Sequence, residues 1–210
     1  MNSIKGLLQE FDKAMVDAGA VSPKTIKILE ETGQIDQLNE IDGVDITDEL
    51  IEYLQAVSGY DLDKEIELDS SDAAYLWGQS IIPVENISEK YQARDWVIDE
   101  EPDFWPEGFL PILQSNNSDY VMINCREGSP TRGAVYEYID CEGTLFIANS
   151  ISDFIKGCTD VVLSKTVVFD DPEIWEFTEF PEYWSAVSKA FGFRARQPGE
   201  ADHPRAVKNW

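Results

Sequence analysis

Histidine is almost missing from this chain. The single one, His203, lies between Asp202 and Pro204. A Ser-His-Asp or Cys-His arrangement needs an imidazole held in a shaped site, and a Pro-flanked terminal segment is a poor place for one. Cysteine is scarce too. Cys125, Cys141 and Cys158 are odd in number and share no paired spacing, which argues against a disulfide framework and a zinc site. Buried, small and apolar is the role expected of them. Positive charge is short: 16 Lys and Arg stand against 41 Asp and Glu, a net charge of -25. Such a surface repels the phosphates of nucleic acid and the headgroups of anionic membranes. A basic protein partner would be drawn to it, mainly through a faster encounter.

No apolar run approaches the roughly 18 residues of a membrane span. The opening MNSIKGLLQEFDK interrupts its apolar pattern with charge too early for a signal peptide. A cytoplasmic protein is therefore expected, and the sequons at Asn86 and Asn116 carry no weight. The phosphate-cradling GxGxxG and GxxxxGK[ST] patterns and the GxSxG elbow are missing, and Gly128, Gly133 and Gly143 are too dispersed to replace them. "DGVDITDE" and "DLDKEIELDSSD" are rich in carboxylates but lack the order of a calcium loop. No cofactor and no metal is expected.

What remains is ample core material. The chain is 43% hydrophobic over 210 residues, with six Trp, eight Tyr and ten Phe, so a real core is expected rather than disorder of the whole chain. One α+β domain with extensions fits this length: an N-terminal helical extension over 1–38, a main domain over 39–192, and a basic flexible tail over 193–210. Ile4, Leu7, Leu8, Phe11 and Met15 share one helical face, with Ser3 as cap and Gly19 as stop. Ser22-Pro23 opens a second helix that Gly33 closes. Asn39 to Asp45 reads as acidic linker. Thr47 caps a helix through Leu50, Leu54 and Val57, ended by Gly59.

Beyond Gly59 the texture changes. Ala73 to Pro83 reads as extended, and the run from Val84 as a short amphipathic helix or irregular segment. Phe109–Leu113, Tyr120–Asn124, Ala134–Asp140 and Thr144–Ala148 read as strands of an antiparallel meander. Turns are expected at Asn116-Asn117 and at Cys141-Glu142-Gly143. Ser150 caps a helix with Ile151, Phe154 and Ile155 inward. Val161–Phe169 reads as a further strand and Pro181–Phe191 as a last helix. From Arg194 the tail sets Arg194, Arg196, Arg205 and Lys208 against Glu200 and Asp202. Either this basic end folds back on the acidic body, or it stays loose.

Several pieces, in order, resemble the SUKH superfamily, which includes bacterial immunity proteins and fungal cell-wall synthesis regulators. "ITDELIEYLQAVSGYD" (from Ile46) resembles its opening helix, with Ile46-Thr47 where Leu-Pro usually stands. "YLWGQSIIPVENISEKY" (from Tyr75) resembles the following strand, Trp and helix. "WPEGFLPILQSNNSDYVMIN" (Trp105 to Asn124) resembles the central hairpin, and "GAVYEYI" and "IANSISDFIKGC" resemble the next strand and packing helix. Two departures stand out. The hairpin turn is Asn117-Ser118-Asp119 rather than Gly-Gly-Asp, and its second strand ends in Asn124 rather than Asp. The resemblance implies an α+β sheet of short strands flanked by helices. It also implies a protein-binding scaffold, often one that neutralises a toxin delivered by a competing or sister bacterium.

On the hairpin, Trp105, Phe109, Ile112, Val121 and Ile123 are expected to build the core-facing side. The candidate partner-binding residues are Trp96, Asp99, Glu100, Glu101, Asp103, Phe104, Trp105 and Glu107, aromatic anchors within a charged rim. The alternative is a loop whose aromatics tuck into the core while its carboxylates face water. Ile174 to Trp184 is a second aromatic candidate, which could equally cover the sheet. The leading function is immunity-type binding of a protein partner by occlusion and without catalysis, and a basic, nuclease-like toxin fits the sign of the charge. A regulatory scaffold with an endogenous partner and a carboxylate-dependent hydrolase are the alternatives.

Overall fold

The computed structural model describes residues 3–20, 33–57, 76–92, 94, 95, 97, 104–115, 118–139, 142–168, 176, 177, 180–193 and 205. Helix α1 (Ile4–Asp17) starts where Ser3 Oγ accepts the Gly6 amide at 3.2 Å. A short helix α2 (Gly33–Asp36) runs into a 3-10 turn (Gln37–Glu40). Helix α3 (Asp48–Val57) is capped by Thr47, whose Oγ1 accepts the Leu50 amide at 3.1 Å. A 3-10 turn (Leu76–Gly78) leads to strand β1 (Ser80–Ile81) and helix α4 (Val84–Gln92). Strands β2 (Phe109–Gln114), β3 (Tyr120–Asn124), β4 (Val135–Ile139) and β5 (Gly143–Ala148) follow. Helix α5 (Ile151–Leu163) begins at Ser150, whose Oγ accepts the Asp153 amide at 3.0 Å. A small ribbon of β6 (Val167–Val168) and β7 (Glu176–Phe177) precedes helix α6 (Phe180–Phe191).

The main sheet is an antiparallel meander in chain order, β1-β2-β3-β4-β5. This is the α+β architecture that the order of patterns implies. One sheet face packs on the helices. Leu110, Ile112, Leu113, Val121, Ile123, Val135 and Ile147 meet the buried stripes of α1, α3, α4 and α5 there. Helix α1 lies in this same core, against α5 and α3. The opposite face carries an aromatic layer of Trp105, Phe109, Tyr136 and Tyr138 with Met122, flanked by Tyr120 and Phe146.

Two burials in one sheet explain several departures from expectation. The five hairpin residues do not share a side. Trp105 and Phe109 belong to the aromatic layer, whereas Ile112, Val121 and Ile123 face the helices. A bulge between Pro111 and Leu113 lets Ile112 and Leu113 both point to the helix side. Residues 76–78 are not extended: Trp77 and Gly78 hold positive φ, and the strand is confined to Ser80–Ile81. Val161–Leu163 continue α5, and among the described residues of that run Val167–Val168 form the strand. Gly33, expected to end a helix, is itself helical, and the rest of that expected helix lies outside the described residues. The linker from Asn39 is tied down: Asn39 Oδ1 accepts the Ile46 amide at 3.2 Å and Val44 bridges Arg126.

Candidate functional site

Three chain segments meet at one end of the sheet. The segment before α3 is held by Val44 bridging Arg126, by the Asp45 amide on the Cys125 carbonyl at 2.7 Å, and by the Glu127 amide on the Gly43 carbonyl at 3.1 Å. Arg132 reaches back from the β3–β4 loop. Its Nε donates to the Asp45 carbonyl at 2.9 Å, and its Nη2 to the Ile46 carbonyl at 2.8 Å and the Asp45 carboxylate at 2.9 Å. The turn before β2 closes the group. The Gly108 carbonyl accepts the Cys125 amide at 2.7 Å, and its amide donates to the Tyr91 hydroxyl at 3.0 Å. Asp42, Asp45, Glu107 and Glu127 are exposed at this end.

Asn124 organises the loop from below. It is buried, its Nδ2 donates to Ser129 Oγ and to Thr131 Oγ1 at 2.9 Å each, and its Oδ1 accepts the Arg126 amide at 3.0 Å. An amide supplies two donors and an acceptor at once, which a carboxylate does not. The departure at this position therefore has a structural use.

The sequence candidates separate. Trp105 is wholly buried. Its Nε1 donates to the Phe109 carbonyl at 2.9 Å, its carbonyl accepts Arg94 Nε at 3.0 Å, and its ring stacks near Tyr120 and Tyr138. Phe104 is half-buried over the start of β5, its carbonyl bonded by Thr144 Oγ1 and its ring close to Gly143. Glu107 is exposed, with its carboxyl carbon 3.6 Å from where a Cβ on Gly43 would stand. Trp96, Asp99, Glu100, Glu101 and Asp103 lie outside the described residues. In the second candidate segment, Tyr183 is buried between α6 and α5 and Trp184 is half-buried; Ile174 and Trp175 lie outside the described residues. Asp42 and Glu127 escaped the sequence reading, because one isolated bridge 82 residues apart in sequence (Val44 to Arg126) brings them beside Glu107.

A second polar group sits under the helices. Glu137 of β4 faces the helix side between Val121 and Leu145 and is buried. Its Oε1 accepts Trp77 Nε1 at 2.8 Å, and its Oε2 pairs with Arg205 Nη2 at 3.0 Å. Arg205 is buried as well, with its guanidinium carbon 5.0 Å from the centroid of the Phe193 ring. Trp77 holds φ 60° and ψ 18°, a left-handed conformation that costs a bulky residue about 1–3 kcal/mol. Contact with Phe154 and an edge-on ring contact with Phe191 offset that strain.

The two described thiols are poor nucleophiles. Burial pushes the Cys125 thiol up to about 12, against an opposing pull from Arg132, and burial also raises Cys158. Thiols held neutral do not attack. Among the described residues no group of three or more His, Cys, Asp or Glu is placed to hold a metal ion, and no helix is long and apolar enough to cross a membrane.

A single antiparallel meander, helices on one side and an aromatic layer on the other, defines an α+β protein. The sequence model of the SMI1 / KNR4 family (SUKH-1) matches residues 32–157, and the chain belongs to that family. The match begins after α1 and ends within α5. No curated protein matches the chain.

Proposed function

We propose that this protein works by binding another protein, as an immunity-type partner that occludes a basic toxin. Membership of the SMI1 / KNR4 family carries this reading, being consistent with an immunity-type or regulatory role. The net charge of -25 supports the sign of the partner, since complementary charge speeds encounter and suppresses wrong partners. The sheet end supplies a net acidic surface, with Glu107, Asp42 and Glu127 exposed beside the exposed Arg126, around a backbone fixed by Gly108 and Arg132. Trp96, Asp99, Glu100, Glu101, Asp103 and Phe104 are proposed to extend it. Trp105, buried beneath, would hold the segment in place rather than touch the partner. The proposed location is the cytoplasm.

The test is a binding and protection assay with the product of the adjacent gene. The expected result is a complex, relief of that product's toxicity on co-expression, and an association rate that falls about tenfold or more from low to high salt. A complex with a host protein and no protection would move the reading to a regulatory scaffold. A complex whose rate ignores salt would remove the electrostatic part.

A further inference from the structure

A buried carboxylate on an apolar sheet face demands partners, and Glu137 has two of different kinds. Trp77 Nε1 is part of the body, whereas Arg205 comes from the basic C-terminal end. Arg205 is recognised at three points. Glu137 pairs with its guanidinium at 3.0 Å, the Phe193 ring lies under it, and the Phe146 amide donates to its backbone carbonyl at 2.9 Å. Carboxylate, aromatic face and strand amide together suit arginine, since a planar guanidinium can pair and stack at once. Phe146 lies on β5, the last strand of the sheet. Strand edges recruit extended peptides through such amides.

We propose that Glu137, Trp77 and Phe193 form a receptor for a single arginine of a peptide segment. Arg205 fills it in the isolated chain, where its backbone carbonyl accepts the Phe146 amide of β5. Its departure leaves an anionic, aromatic-lined site beside an open strand amide. The charge contrast along the chain fits this: the end from Arg194 onward carries a positive surplus in a protein of -25.

Amide exchange on the full chain tests it. In the wild type, Phe146 should exchange through a local opening that leaves the α5 amides protected. In Arg205→Ala, Phe146 should exchange about 100-fold faster, as expected when one partner of a buried ion pair is removed, while α5 keeps its rates. A synthetic peptide of residues 201–210, added to that variant, should restore protection at Phe146; the same peptide with alanine for arginine should not. Loss of protection without rescue by the peptide overturns the receptor. If Arg205→Ala fails to fold, the wild-type measurement decides: exchange of Phe146 only together with α5 overturns a displaceable Arg205, and earlier exchange upholds it.

Discussion

A methyl group on Gly108 would stand 2.7 Å from the Arg126 Cα, on a backbone held at φ +77°. Both faults act together, because the left-handed conformation disfavours any side chain and the carbonyl must stay in place for the Cys125 amide. Gly108→Ala should therefore lower stability by about 2 kcal/mol or more, read as a fall in the urea midpoint with an unchanged slope. The cysteines make a different prediction. Cys125 has a usual value of 9.0 and is pushed up to about 12 by burial. Folding then favours the neutral thiol. Its contribution to stability is fully present below pH 9.0 and lost as pH rises toward about 12, because the unfolded chain ionises first. Native protein at pH 8 should resist alkylation at Cys125 and Cys158 and react in denaturant; rapid labelling of the native form would contradict their burial.

Helix α3 acts on its neighbours through two carboxylates. Glu49 accepts the Ile151 and Ser152 amides at 3.0 and 3.2 Å and the Ser152 hydroxyl, at the start of α5, and Glu52 accepts the Ile4 amide at 3.3 Å, at the start of α1. A carboxylate at a helix N-terminus satisfies orphan donors and the local dipole. Glu49→Ala should cost about 1–2 kcal/mol in a urea melt, and Glu52→Ala less, since it bonds one amide rather than two. The sequence disclosed part of this. Caps at Ser3, Thr47 and Ser150 were legible because each bonds an amide three residues on. The four meander strands were legible from alternation and turn residues. Their assignment to faces was not, because a sheet apolar on both sides has no polar face to mark it. Val161–Leu163 read as strand because a short apolar run does not distinguish the two periods, and α5 simply runs on through it. Trp77 was opaque for another reason. Its indole N–H meets a carboxylate 60 residues away. In the candidate surface, Glu107 was legible as an acid next to aromatics, while its neighbours Asp42 and Glu127 depended on long-range pairing.

For the molecule as a whole, 41 acids against 16 Lys and Arg mean self-repulsion in the folded state. Salt screens it. Raising sodium chloride from low to near-molar levels should raise the urea midpoint; a fall would mean that ion pairs such as Arg132–Asp45 and Arg205–Glu137 outweigh the general repulsion. Glu137 also bears on how the strands find their alignment. Val121 and Leu145 flank it in adjacent strands, while Tyr136 and Tyr138 on either side point the opposite way. In a meander greasy on both sides, a slip by one residue would exchange one oily surface for another at little penalty. The same slip would drive this lone anion among aromatic rings, away from its cation. One acid thus serves as punctuation, fixing the reading frame of the whole sheet.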